Sequence, residues 1–141
     1  EQPPHLRLCR LGLKVLAPEA CRVEGLLSLD VSGNKLVALP DAFGPPTLKR
    51  LDLGNNSRLK ALPESLAGCP ITDLNIAYTA IQTLPPALLP RLERLSISGC
   101  KRLKLDFLVP EALPNLKSLS ATKSAAVTAF QEARPEVRVY G

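Results

Sequence analysis

Leucine recurs along this chain in a phrase that alternates apolar and polar positions and then breaks. Five segments carry it in full: Leu26, Leu29, Val31; Leu48, Leu51, Leu53; Ile71, Leu74, Ile76; Leu92, Leu95, Ile97; and Leu116, Leu119, Ala121. An upstream unit fits with Pro3, Leu6 and Leu8. The segments start at 3, 26, 48, 71, 92 and 116, so the intervals are 23, 22, 23, 21 and 24 residues. Period two across the last positions predicts a short strand with one face buried. After each strand comes a short side chain: Asn34, Asn56, Thr79, Cys100 and Ser124. Turned inward, it hydrogen-bonds the backbone of the neighbouring turn and satisfies groups otherwise buried unpaired. Leu11 holds that place in the first unit and cannot do so, as expected of an atypical terminal repeat.

The other half of the period reads Leu39-Pro40-Asp41-Ala42-Phe43, Leu62-Pro63-Glu64-Ser65-Leu66 and Leu84-Pro85-Pro86-Ala87-Leu88. Proline suits the first helical position and acidic groups suit the first turn, which predicts single turns of 3-10 or α-helix. Residues 124–134 are Ala-rich and set Val127 and Phe130 three apart on one face, so a helix of two to three turns is expected there. Pro135 stops it, and a final strand is expected over about 136–140. No repeat can bury its Leu face alone; stacking makes the core continuous. The spacing lies within the roughly 20–29 residues of leucine-rich repeats, which the chain resembles over nearly its whole length. The resemblance implies an α/β fold, a leucine-rich repeat solenoid forming one domain over residues 1–141. This is a right-handed β-α superhelix, with short parallel strands on the concave side and 3-10 or short helical turns on the convex side.

Residues between the strand leucines point away from the core, onto the concave sheet. Three columns result. The first runs His5, Ser28, Arg50, Asp73, Arg94, Ser118 and then Glu136; the middle runs Arg7, Asp30, Asp52, Asn75, Ser96, Ser120 and then Arg138. The third is small: Cys9, Ser32, Gly54, Ala77, Ser98 and Thr122, with Tyr140 after them. Neighbouring strands lie about 4.7–4.9 Å apart, so Arg50, Asp73 and Arg94 can pair, as can Arg7 and Asp30. One reading is a self-neutralised ladder whose exposed pairs contribute about 0–1 kcal/mol each. The other is a charged stripe that recognises a partner. Asp30 beside Asp52 is a like-charge pair, tolerated more readily when a basic group sits between them. The candidate contacts are Arg7, Asp30, Arg50, Asp52, Asp73, Asn75, Arg94, Ser96 and Ser120.

Composition changes little in this picture. The interior is filled by Leu, Ala and Val, with no Met or Trp, and a chain without Met reads as a processed form or an excised piece. The net charge of +5 is even along the chain: nine basic and seven acidic residues to position 70, nine and six after it. The densest basic spot, Lys101, Arg102 and Lys104, reads as a solvated loop and lacks the aromatics that base stacking uses. No apolar run approaches the roughly 20 residues that cross a bilayer. Neither nucleic acid nor membrane is expected as a partner, and the chain is expected to be a monomer. Cys9, Cys21, Cys69 and Cys100 are far apart without a CxxC pair, which suits reduced thiols in a cytosol. The sequon Asn55-Asn56-Ser57 points the other way, although repeats rich in Asn and Ser produce such triplets by chance.

Chemistry is hard to place. The single histidine, His5, is four strand residues from Cys9, roughly 13 Å. No Cys, His or carboxylate set has metal-ligand spacing, and no phosphate loop or G-x-S-x-G elbow is present. No catalytic residue, metal or cofactor is expected.

Subtler features narrow the family. The stretches LSISGCKRLKL and LNIAYTAIQTLPPAL resemble plant-type repeats of intracellular immune receptors, while LDVSGNKLVALPDAF resembles bacterial effector repeats. Heavy use of Ala, Pro, Arg and Leu suits a gene of high G+C content. Together these are similar to the repeat region of bacterial type III secreted effectors of the XopL and PopC group. That resemblance implies a module binding a host or substrate protein through its concave face, in the host cytosol after secretion. A cytoplasmic chain is the alternative. Some members carry a ubiquitin-ligase domain after the repeats, but no ligase motif occurs here. Two other roles stay open: the ligand-sensing repeats of an immune receptor, and a substrate-recruiting arm working on an attached enzyme.

Overall fold

A computed structural model describes residues 5–141; Pro3, the opening position of the first repeat, and the side chain of Cys21 lie outside the described residues. Seven strands of three residues form one parallel sheet in chain order: β1 (His5–Arg7), β2 (Ser28–Asp30), β3 (Arg50–Asp52), β4 (Asp73–Asn75), β5 (Arg94–Ser96), β6 (Ser118–Ser120) and β7 (Arg138–Tyr140). Each strand is polar–apolar–polar, and from β2 to β6 the central leucines Leu29, Leu51, Leu74, Leu95 and Leu119 align in register and are buried. Behind them Val31, Leu53, Ile76 and Ile97 continue the same core, closed on the far side by Phe43, Leu66 and Leu88. Burying each such side chain stabilises the array by about 1.5–3 kcal/mol.

The convex side carries 3-10 turns at Pro18–Arg22, Glu64–Gly68, Pro86–Arg91, Leu105–Phe107 and Pro110–Ala112. Pro18, Pro86 and Pro110 open their turns at the first helical position, as expected, whereas Pro63 stands one residue earlier, at the N-cap in extended backbone. At 40–43 there is only a turn, in which the Phe43 N–H donates to the Pro40 carbonyl at 2.9 Å. Among the described residues a single α-helix, α1 (Ala125–Ala133), buries Val127 and Phe130.

The ladder positions account for the buried backbone of each turn. Asn34 accepts from the Leu11 and Leu13 N–H groups, both at 3.0 Å, and donates to the carbonyls of Leu8 and Val31. Asn56, wholly buried, accepts from the Leu36 N–H at 3.1 Å and donates to the carbonyls of Val31, Leu53 and Gly54. Thr79 donates to the Ile76 carbonyl at 2.7 Å, and the Cys100 thiol reaches the same oxygen at 2.9 Å. Ser124 departs from the series. It is exposed and caps α1, its hydroxyl accepting from the Val127 N–H at 3.2 Å. The repeat there gives way to a true helix, whose free first-turn donors claim the hydroxyl.

The residue before the ladder position shares an unusual backbone in the first five repeats. Arg10, Gly33, Asn55, Tyr78 and Gly99 have φ of 57°, 68°, 58°, 58° and 69°. This left-handed turn swings the chain off the strand end, and the first four donate their N–H groups to the carbonyls of Ser32, Gly54, Ala77 and Ser98 in the next repeat. The turns therefore stack as regularly as the strands do.

The final strand corrects the expected columns. Arg138 pairs with Ser118 and Tyr140 with Ser120, so Arg138 holds the first-column place expected for Glu136. Tyr140 holds the middle place expected for Arg138, and so is not in the third column. A slip of two residues keeps every side chain on its face, so alternation could not reveal it. Val137 is buried ahead of the strand, while Arg134 donates to the carbonyls of Pro110 and Leu113 and ion-pairs with Glu136.

Candidate protein-binding face

The in-register sheet turns two sequence columns into two surface stripes. Along the strand starts, Asp73 stands between Arg50 and Arg94, with its two oxygens 3.7 Å from Arg50 Nε and 3.5 Å from Arg94 Nη1. The Thr72 hydroxyl also donates to Asp73 at 3.0 Å. The arginines are largely exposed, at 67 % and 56 % of the side chain, against 23 % for Asp73. Such long, solvated pairs contribute little to stability. They leave one cationic charge in excess and two guanidinium groups with unused donors facing outward.

Along the strand ends the sign reverses. Asp30 accepts from the Ser32 N–H at 3.0 Å and the Ser32 hydroxyl at 2.6 Å. Asp52 accepts from the Gly54 N–H at 3.0 Å and from the Asn75 amide at 3.0 Å, and Asn75 accepts from the Ala77 N–H at 2.9 Å. Each of these residues thus bonds the backbone two positions on, which fixes its rotamer. The like-charge pair Asp30–Asp52, opposed in register, is met by these donors and not by a basic side chain between them. Partial burial holds the Asp52 carboxyl above the usual carboxylate range. The Gly54 N–H pulls it back, Asp30 pushes it up again, and Asn75 lowers it.

Between the stripes lies an open hollow of about 340 Å³, lined by Asp30, Arg50, Asp52, Asp73, Asn75, Arg94, Ser96 and Ser120. Eight of the nine predicted contacts therefore converge on one surface. Arg7 lies at the exposed edge, on β1, outside this hollow. Gly54 and Ala77, in the small column, are buried against the strand ends and leave the hollow's rim low. Two residues that sequence reasoning placed elsewhere, Arg138 and Tyr140, extend the face beyond Ser118 and Ser120. A fixed polar floor of opposed stripes can orient a partner, but it holds no nucleophile–base pair. Among the described residues, no group of three or more His, Cys, Asp or Glu side chains is placed to hold a metal ion, and no helix is long and apolar enough to cross a membrane.

Comparison with known proteins agrees with this architecture. Residues 47–69 match the Leucine Rich Repeat family. The human PH domain leucine-rich repeat-containing protein phosphatase 1 is 29 % identical over 120 residues, covering 81 % of this chain and 7 % of that protein. Mouse Podocan-like protein 1 is 33 % identical over 101 residues, 67 % of this chain and 18 % of that protein. Disease resistance protein RPS6 of Arabidopsis thaliana is 39 % identical over 70 residues, 48 % of this chain and 6 % of that protein. The chain spans less than a fifth of the length of each relative. With the repeat match, these relatives and the seven-stranded parallel ladder, the chain is a leucine-rich repeat solenoid, the fold of a general protein-interaction module.

Proposed function

We propose that this chain is a protein-recognition module that docks its partner on the concave face, as the repeat region of a secreted effector acting on a host protein. The observation that carries the docking surface is the hollow between the Arg50–Asp73–Arg94 stripe and the Asp30–Asp52–Asn75 stripe, the latter held by hydrogen bonds to backbone before any partner arrives. Pre-ordered polar groups spare a complex the entropy of fixing them, and opposed charge stripes set the partner's orientation. A complementary partner presents basic groups to Asp30 and Asp52 and carboxylates to Arg50 and Arg94.

The effector role rests on the resemblance of 29–43 to bacterial effector repeats. Similarity to the Arabidopsis disease resistance protein favours a second reading, a sensing module of an immune receptor. The phosphatase relatives favour an arm that serves an attached enzyme. All three use the same face. The test is affinity capture from plant and animal lysates with the wild-type chain and an Asp52→Arg/Arg94→Glu variant shown by circular dichroism to be folded. A protein retained by the wild type and lost by the variant is expected; equal capture by both sinks the concave-face reading.

A further inference from the structure

Charge that is even along the sequence is uneven across the fold. Six segments leave the carboxyl ends of the parallel strands, at 9–16, 32–39, 54–62, 77–84, 98–105 and 122–124, and so share one lateral flank of the solenoid. Hydrogen bonds between repeats stack them, for example Lys35 N–H to the Leu13 carbonyl and Lys104 N–H to the Gln82 carbonyl. These segments hold nine of the 18 basic residues and none of the 13 acidic ones. All nine are exposed. The remainder of the chain is left with nine basic and 13 acidic residues, a net negative body behind a positive flank. Every ion pair among the described residues lies elsewhere: Arg50–Asp73, Arg94–Asp73, Lys117–Glu93 and Arg134–Glu136.

The segregation follows the repeat. Lys14, Lys60 and Lys104 each follow the core-facing leucine of the turn in alternate repeats (Leu13 partly buried, Leu59 and Leu103 buried), and Arg58 and Arg102 fill the extra position that the third and fifth repeats have before that leucine. At about 4.7–4.9 Å per strand, the flank spans roughly 24 Å from the first repeat to the sixth. Four exposed apolar side chains sit among these cations: Leu11, Val15, Val37 and Tyr78, at 59 %, 73 %, 50 % and 58 % exposure. Tyr78 is held out by its left-handed backbone and lies over Gly99, where an added Cβ would come within 2.3 Å of the ring.

We propose that this flank rests on an anionic lipid bilayer surface. A cationic, acid-free strip interleaved with exposed aliphatic and tyrosine side chains suits that surface, because the cations gain from anionic headgroups while the apolar tips enter the interface. A polynucleotide would use the cations but gain nothing from Val15 and Val37, and the flank offers one ring for stacking where nucleic-acid platforms array several. The net negative body turns away from an anionic leaflet, which orients the molecule and leaves the concave hollow accessible from the side. No spanning helix is needed.

The test is sedimentation of the whole chain with vesicles of phosphatidylcholine, alone or mixed equally with phosphatidylserine, beside two variants that change only exposed positions. Wild type is expected to sediment with the mixed vesicles and not with phosphatidylcholine alone. At about fivefold per basic residue near an anionic leaflet, Lys60→Glu/Lys101→Glu/Arg102→Glu lowers the affinity at least about a hundredfold. Val15→Ser/Val37→Ser lowers it several-fold without changing its salt dependence. Absence of vesicle binding by the folded wild type overturns the proposal. So does binding to single-stranded polynucleotide or polyglutamate that exceeds vesicle binding and is indifferent to Val15→Ser/Val37→Ser.

Discussion

Replacing Asn56 by alanine tests whether the ladder holds the turns together. The amide accepts from the Leu36 N–H and donates to the carbonyls of Val31, Leu53 and Gly54. Two of those carbonyls keep another donor after Asn56→Ala: Val31 retains the Asn34 amide at 2.8 Å, and Gly54 retains the Gly33 N–H at 2.9 Å. The Leu36 N–H and the Leu53 carbonyl lose their partner in a site with no exposure to water. Each orphaned buried group costs about 1–3 kcal/mol, so the loss of two is expected to cost roughly 2–6 kcal/mol. That is a large share of the 5–15 kcal/mol typical of a domain, taken as roughly that range. Thermal unfolding followed by circular dichroism should show a midpoint lowered by about 10 °C. A midpoint within about 2 °C of wild type would refute the reasoning, because it would mean that water or relaxation satisfies the turn without the amide. Thr79→Ala, which removes one donor to a carbonyl the Cys100 thiol also reaches, is expected to cost distinctly less.

Three further outcomes are expected. Asp52→Asn keeps an acceptor for the Gly54 N–H while removing first the burial cost of the charge and then the repulsion from Asp30, so it should stabilise the chain by about 0.2–1 kcal/mol at neutral pH in urea unfolding. Because the folded carboxyl is held above its unfolded value, the cost of ionising it is present at neutral pH and disappears as pH falls below the unfolded carboxylate range. The gain from Asp52→Asn should vanish there, and a gain that persisted in acid would contradict a cost that arises from the ionised carboxylate. Gly99→Ala puts a Cβ on a left-handed backbone and into the Tyr78 ring, and should cost about 1–2 kcal/mol from the backbone alone. Tyr78→Asn in the same chain should recover part of the remainder, and strict additivity would refute the contact. Ser124→Ala removes the cap of α1 and should cost about 1 kcal/mol, read as faster amide hydrogen exchange over 125–133 with the earlier repeats unchanged.

The repeat phase, the buried leucines and the concave columns were legible because a strand alternation with fixed spacing leaves few registers to choose from. The same logic failed where the repeat loosens. At the last strand the alternation sets Glu136 beside Ser118, where Arg138 in fact pairs, since period two is blind to a slip of two. Ser124 was read by position as a ladder residue, yet its neighbours Ala125 and Ala126 begin a helix that needs a cap. A signal was available in the Ala-rich run itself. The left-handed column was also within reach: Gly33 and Gly99 share a phase with Arg10, Asn55 and Tyr78, and the glycines mark the conformation the others adopt. The basic flank is invisible to a sum of charge along the chain. Summed by half it is even, whereas sorted by place within the repeat the flank holds nine basic residues and no acid, and the remainder nine basic and 13 acidic.

The most direct test of the concave-face claim is site-specific photocrosslinking with a benzophenone amino acid at Asn75, in the floor of the hollow, and at Ala87, exposed on the convex 3-10 turn. Incubated with the protein captured from lysate, the Asn75 probe is predicted to form the adduct and the Ala87 probe is not. Adducts from Ala87 alone, or equal yields from both positions, would contradict recognition through the concave face.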